Sequence, residues 1–138
     1  MPRIEERGGT YFISFAMDRS LPPLSPAERQ AVFEIITADH MAKYRLYIAV
    51  VMPDHVHIVL QAVAQDGPVG LPKIMHRLKG FSALQVNKLR GRKGPLWEAR
   101  SHNRLLYSKK ELEKVMGYIY MNPREKELAE NPDDYPYL

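Results

Sequence analysis

The segment Tyr44-Arg45-Leu46-Tyr47-Ile48-Ala49-Val50-Val51-Met52-Pro53-Asp54-His55-Val56-His57-Ile58-Val59-Leu60-Gln61-Ala62 holds two strands and the turn between them. Tyr44 to Met52 is dense in β-branched and aromatic residues, which favour a pleated, half-buried backbone. Pro53-Asp54 is a turn pair, because proline fixes φ and aspartate bonds its own backbone. His55 to Ala62 resumes the strand composition and predicts a second strand running out of that turn.

Working outward, Ser25-Pro26-Ala27-Glu28 is a capping box with proline in the first helical turn. Val32, Ile35, Ile36 and Met41 carry that helix to about Lys43. Before it, Asp18 to Pro23 is a turn-rich loop, and Thr10 to Met17, following Gly8-Gly9, reads as another strand. On the other side, a loop ending at Gly70 precedes a basic helix from about Pro72 to Leu89. Gly91 to Pro95 is a basic turn, and Leu96 to Tyr107 is extended. Ser108-Lys109-Lys110-Glu111 is a second capping box, opening a helix expected to stop before Pro123. The order is β-α-β-β-α-β-α. Its first six elements match the ferredoxin-like split βαβ arrangement, an antiparallel sheet with helices packed on one face. The expected class is therefore α+β, with the C-terminal helix added to that core.

A chain of 138 residues predicts one domain over 1–138, long enough to bury a core. With no cysteine, any metal must be held by nitrogen and oxygen. Met1 to Glu6 lacks the apolar stretch of a signal peptide. The apolar run Tyr47 to Met52 is far below the roughly 20 residues that span a bilayer. A cytoplasmic protein, nucleoid-associated when on DNA, is the expectation. The net charge of +4 is less informative than its placement. Lys73 to Lys93 holds seven Lys and Arg and no acid, whereas Glu125 to Asp134 is acidic. A one-sided basic stretch could track phosphates, though a solvated helix face reads the same way.

Alternation along a strand puts His55 and His57 on one face and Val56 and Ile58 on the other. Two imidazoles side by side after a turn make a natural bidentate metal clamp; read alone, they are more often two half-exposed histidines on an open face, because short motifs match by chance. What the clamp lacks is a third ligand and a reactive group. In the last helix Leu112, Val115, Met116 and Ile119 form the buried stripe. Tyr118 and Asn122, four residues apart, stack on its flank at the edge of the core. His40, His76 and His102 have no partner spacing and default to structural roles.

Met52 to Leu60, with its histidine–hydrophobe–histidine centre, resembles the HUH motif of single-tyrosine transposases. Trp97-Glu98, Glu111-Leu112-Glu113 and Tyr118-Ile119-Tyr120-Met121-Asn122-Pro123 resemble the C-terminal signature of the REP-associated tyrosine transposases, one insertion-sequence-type branch. Gly8-Gly9-Thr10-Tyr11-Phe12 is similar to that branch's first strand, and Asn131-Pro132-Asp133-Asp134-Tyr135-Pro136-Tyr137 to its closing segment. One stretch departs: Arg124-Glu125-Lys126-Glu127-Leu128 stands where a Val-Arg-Ala-Gly-Leu-like run is usual. The resemblance implies an enzyme, a metal-dependent endonuclease and strand transferase acting on single-stranded or hairpin DNA such as REP-type palindromes. It implies Tyr118 as nucleophile, His55, His57 and Asn122 as metal ligands, and a divalent cation, Mg²⁺ or Mn²⁺. Monomer and homodimer both fit it.

A phenol is largely protonated at neutral pH and needs help to attack a phosphodiester. A cation beside the phosphate would neutralise charge on a non-bridging oxygen, and attack would leave a 5′-phosphotyrosine and a free 3′-hydroxyl. The basic segment supplies the DNA-contact candidates Lys79, Lys88, Arg90, Arg92 and Lys93, with Arg3 and Arg7 from the N-terminus. Tyr11 or Trp97 could stack on bases, although an indole more often packs in a core. The competing readings are a non-catalytic single-stranded nucleic-acid binding module, a water-using metal phosphoesterase, and a domesticated relative that binds hairpins without moving DNA.

Overall fold

A computed structural model describes residues 9–41, 43–62 and 70–138. The elements are β1 (Thr10–Met17), α1 (Pro26–Ala38), β2 (Tyr44–Val51), β3 (His55–Ala62), α2 (Leu71–Arg90), β4 (Trp97–Leu105) and α3 (Lys109–Glu125). The four strands form one sheet in the order β2-β3-β1-β4, with every neighbouring pair antiparallel. That order is the ferredoxin-like arrangement expected from the element sequence.

Strand alternation divides the interior into two cores. Ile13, Phe15, Val56, Ile58 and Leu60 point to one side, where Val32 and Ile36 of α1 and Ile74, Leu78 and Val86 of α2 cover them. Val50, Met52 and Val59 point to the other, where Val115 and Ile119 of α3 meet Leu106 and Tyr135. So α1 and α2 share one face, and α3 lies on the opposite face, over β2 and β3. The C-terminal segment closes this second core: Tyr135 donates its hydroxyl to the Val51 carbonyl at 2.5 Å, and Val51 N–H donates to the Tyr137 carbonyl.

The Ser25 box is complete, its hydroxyl accepting from Glu28 N–H while the Glu28 carboxylate accepts from Ser25 N–H. Three local expectations need correction. Helix α1 ends at Ala38 rather than near Lys43, because Met41 adopts a left-handed φ of 69° and its N–H turns back to the Tyr44 carbonyl. The second capping box is half formed: Ser108 accepts from Glu111 N–H, but the Glu111 carboxylate takes the N–H of Tyr107 instead of Ser108. Helix α3 does not stop before Pro123 but runs through it to Glu125. Proline removes one N–H from the ladder, yet Lys126 N–H still reaches the Asn122 carbonyl and Leu128 N–H the Pro123 carbonyl, which closes the end. Pro123 is buried there. Trp97 sits in the larger core, donating its indole N–H to Ser82 and packing edge-on against Phe15.

Candidate active site

Strand β3 delivers His55 and His57 to the α3 side of the sheet, their ring centroids 4.8 Å apart. Each ring is held from behind through Nδ1. The β1–β3 register sets Ser14 opposite His57, and Ser14 Oγ lies 2.6 Å from His57 Nδ1. His55 Nδ1 lies 2.7 Å from Asp54 Oδ1 at the turn. An imidazole engaged at Nδ1 by an oxygen has Nε2 left for a ligand, which is the usual support behind a metal-binding histidine. Burial pushes the His57 pKa down to about 4, and the charges of His55 and Lys126 push the same way. The ring is therefore neutral near pH 7, the form that can bind a metal.

Helix α3 brings the other two residues. Tyr118 is 55% exposed, and its ring stands 5.8 Å from that of His57 and 6.4 Å from that of Phe12. Asn122, one turn on, is 3% exposed, and its buried Oδ1 has no hydrogen-bond partner among the described residues. The four side chains line one cleft of about 590 Å³, together with Asp18, Arg19, Asp54, Glu98 and Lys126.

Among the described residues no three His, Cys, Asp or Glu side chains converge to hold a metal. A metal here would need the two imidazoles plus a neutral oxygen, and the orphaned Asn122 carbonyl is such a donor. The residues fit a divalent cation that accepts mixed nitrogen and oxygen ligands.

The basic candidates from Lys79 to Lys93 belong to α2 and the turn after it, and two of them touch residues that line the cleft, Lys79 at the Glu98 carbonyl and Arg90 at the Pro23 carbonyl. Helix α2 packs on the opposite face of the sheet from Tyr118. Lys79 donates to the carbonyls of Glu98 and Ala99 and to Ser101 Oγ. Arg90 is bound by Glu28 and the Pro23 carbonyl, and Arg92 by Asn87 and the Pro95 carbonyl. Lys88 and Lys93 are exposed. Arg3 and Arg7 fall outside the described residues. Tyr11 packs against the α1–α2 core, so the aromatic beside Tyr118 is Phe12. The places of Ser14 and Lys126 at the cleft were not legible in the sequence; Glu98 stood in a segment of the family signature, and Asp54 stood next to His55.

The family described as IS200-like transposase matches residues 27–122, a span that includes His55, His57, Tyr118 and Asn122. A Haemophilus influenzae protein named as a REP-associated tyrosine transposase is 27% identical over 142 aligned positions, covering 95% of this chain and 79% of that protein. The structure of a REP-associated tyrosine transposase bound to a REP hairpin superposes with a TM-score of 0.75 at 20% identity, over 99% of this chain and 79% of that one. A Deinococcus radiodurans protein named as a transposase has the same core, with a TM-score of 0.54, 22% identity and coverage of 80% and 87%. At those identities the two structures speak for the fold.

Proposed function

This chain belongs to the IS200-like transposase family, and from that premise we propose that it nicks and rejoins single-stranded DNA at hairpins of the REP type, with Tyr118 as the nucleophile. The observation that carries the reading is the shared cleft: a half-exposed phenol, two imidazoles and an unpartnered buried amide oxygen face one space.

In the proposed reaction, the Tyr118 oxygen attacks the scissile phosphorus in line. A bond forms from that oxygen to phosphorus, the bond to the 3′-oxygen breaks, and the departing oxygen takes a proton from solvent while the phenol proton is lost to solvent. The product is a 5′-phosphotyrosine and a free 3′-hydroxyl. The phosphodiester-level energy is kept in the link, so a second 3′-hydroxyl can displace Tyr118 and join strands. His55, His57 and Asn122 would hold a divalent cation, Mg²⁺ or Mn²⁺. When bound, that cation supplies charge neutralisation at a non-bridging phosphate oxygen. Ser14 and Asp54 keep both imidazoles turned to the cleft. Lys126 adds a positive charge at the same wall. Two nitrogen ligands favour Mn²⁺ over the oxygen-preferring Mg²⁺, so Mn²⁺ should support the reaction at least as well.

The test incubates the protein with end-labelled hairpin DNA and Mn²⁺ and resolves it on a denaturing protein gel. A labelled covalent band is expected, lost with chelator and reduced at least roughly a thousandfold in Tyr118→Phe, which keeps the ring but removes the nucleophile. Cleavage without a band would favour a water-using phosphoesterase. Metal-independent binding with neither product would favour a binding module or a domesticated relative.

A further inference from the structure

Among the described residues, the sheet face that carries the histidines is half covered. Helix α3 lies over β2 and β3, so β1 and the edge strand β4 continue beyond Tyr118 as a shelf. Register fixes what stands on it. Across the sheet one row runs Val59–Phe12–Arg104 and the next His57–Ser14–His102, all pointing to the α3 side. Phe12 is half-buried, with its ring 6.4 Å from Tyr118 on one flank and Arg104 one strand away on the other. His102 and Arg104 are exposed, and Arg104 makes no ion pair among the described residues. By contrast, four cations of α2 and the turn after it, Arg77, Lys79, Arg90 and Arg92, are occupied by protein oxygens, and α2 itself packs on the opposite face of the sheet from Tyr118.

We propose that the open β1–β4 half of the sheet is a track for single-stranded DNA, with Phe12 as a base-stacking platform and Arg104 and His102 gripping the backbone of the strand that leads to Tyr118. The occupant follows from chemistry: a flat aromatic accepts any base, and a cation one strand spacing away, about 5 Å, suits the phosphate beside it. A protein partner would have no use for that aromatic–cation alternation next to a nucleophile. The track rests on Tyr118 being the attacking group, since it names the strand that reaches it.

The test uses the full chain and a fluorescein-labelled oligothymidine of about 15 nucleotides, since stacking and phosphate contacts tolerate sequence. Fluorescence anisotropy should show salt-sensitive binding by the wild type, weakened roughly tenfold or more in Arg104→Glu and in Phe12→Ala. In Arg104→Ala the slope of log affinity against log salt should fall by about 0.7, because one phosphate is no longer neutralised. Arg104 is an exposed edge residue, so that variant keeps the test valid if Phe12→Ala is poorly folded. With 5-iodouracil in the oligonucleotide, photocrosslinking should label the peptide that contains Phe12. A crosslink on α2, with binding abolished in Lys88→Glu rather than Arg104→Glu, would overturn the track, as would no binding by folded wild type. A normal Tyr118 adduct on hairpin DNA alongside either result would leave the proposed reaction standing. Track binding without any adduct would do the reverse.

Discussion

At the residue scale, Asn122 is placed at a cost to the fold. A buried carbonyl oxygen without a partner costs about 1–3 kcal/mol, and Asn122 Oδ1 is in that position. Proteins retain such groups where function uses them. Asn122→Leu keeps the approximate shape and removes the orphaned acceptor. In chelator, the variant is expected to be more stable than wild type by about 1 kcal/mol in urea unfolding. Its Mn²⁺ affinity, read by calorimetry, should fall roughly tenfold or more. A less stable metal-free variant would show that the amide already does structural work, and the ligand assignment would go with it. The common face of His55 and His57 was readable because a strand alternates with a period of two. Ser14 was not: its contact with His57 spans 43 positions and depends on register, which no local pattern encodes.

At the scale of elements, the pair Glu28–Arg90 ties the start of α1 to the end of α2 at 2.7 Å, with both side chains mostly buried. In the sequence Arg90 was one of seven cations in a run, and a run does not reveal which members are claimed by protein carboxylates. Pro123 misled in the other direction: proline disfavours helix in the residue before it, but here tertiary packing holds Asn122 and Pro123 in the helix, both buried. Elements with strong local signals, the Ser25 box and the β3 strand, came out where periodicity and capping put them. The hydrogen bond from Arg90, and then those from Ser25, hold the Glu28 carboxyl below its ordinary value of 4.5 against the opposing effect of burial. A carboxyl depressed in the folded state contributes stability that is present above the unfolded pKa and lost as pH falls through the folded one. Glu28→Gln keeps the capping arm but removes the charge. Urea unfolding should find it less stable than wild type by about 1–3 kcal/mol at pH 7. The gap should close as pH falls below about 4.5. A gap that stays constant to pH 3 would mean the ion pair is not its source.

Across the whole molecule, one sheet separates two cores of unequal size, and the proposed chemistry straddles the smaller one. His55 and His57 belong to a central strand, whereas Tyr118 and Asn122 ride on α3, which is held by Val115 and Ile119 against Val50, Met52, Leu106 and Tyr135. The larger core, with α1 and α2, is built from other residues on the opposite face. Local opening follows the weaker contacts, so α3 should lift off while the first core stays closed. Two core truncations separate this from all-or-none unfolding. Ile119→Ala and Leu78→Ala each remove a fully or almost fully buried side chain, Ile119 at 0% and Leu78 at 1% exposure, and each should cost about 2–5 kcal/mol. Ile119→Ala should speed hydrogen exchange of the α3 amides and lower the yield of the Tyr118 adduct. Leu78→Ala should lower the urea midpoint but leave α3 exchange near the wild-type rate, because opening of α3 does not expose Leu78. Equal acceleration of α3 in both variants would mean that the nucleophile helix comes free only when the entire protein unfolds.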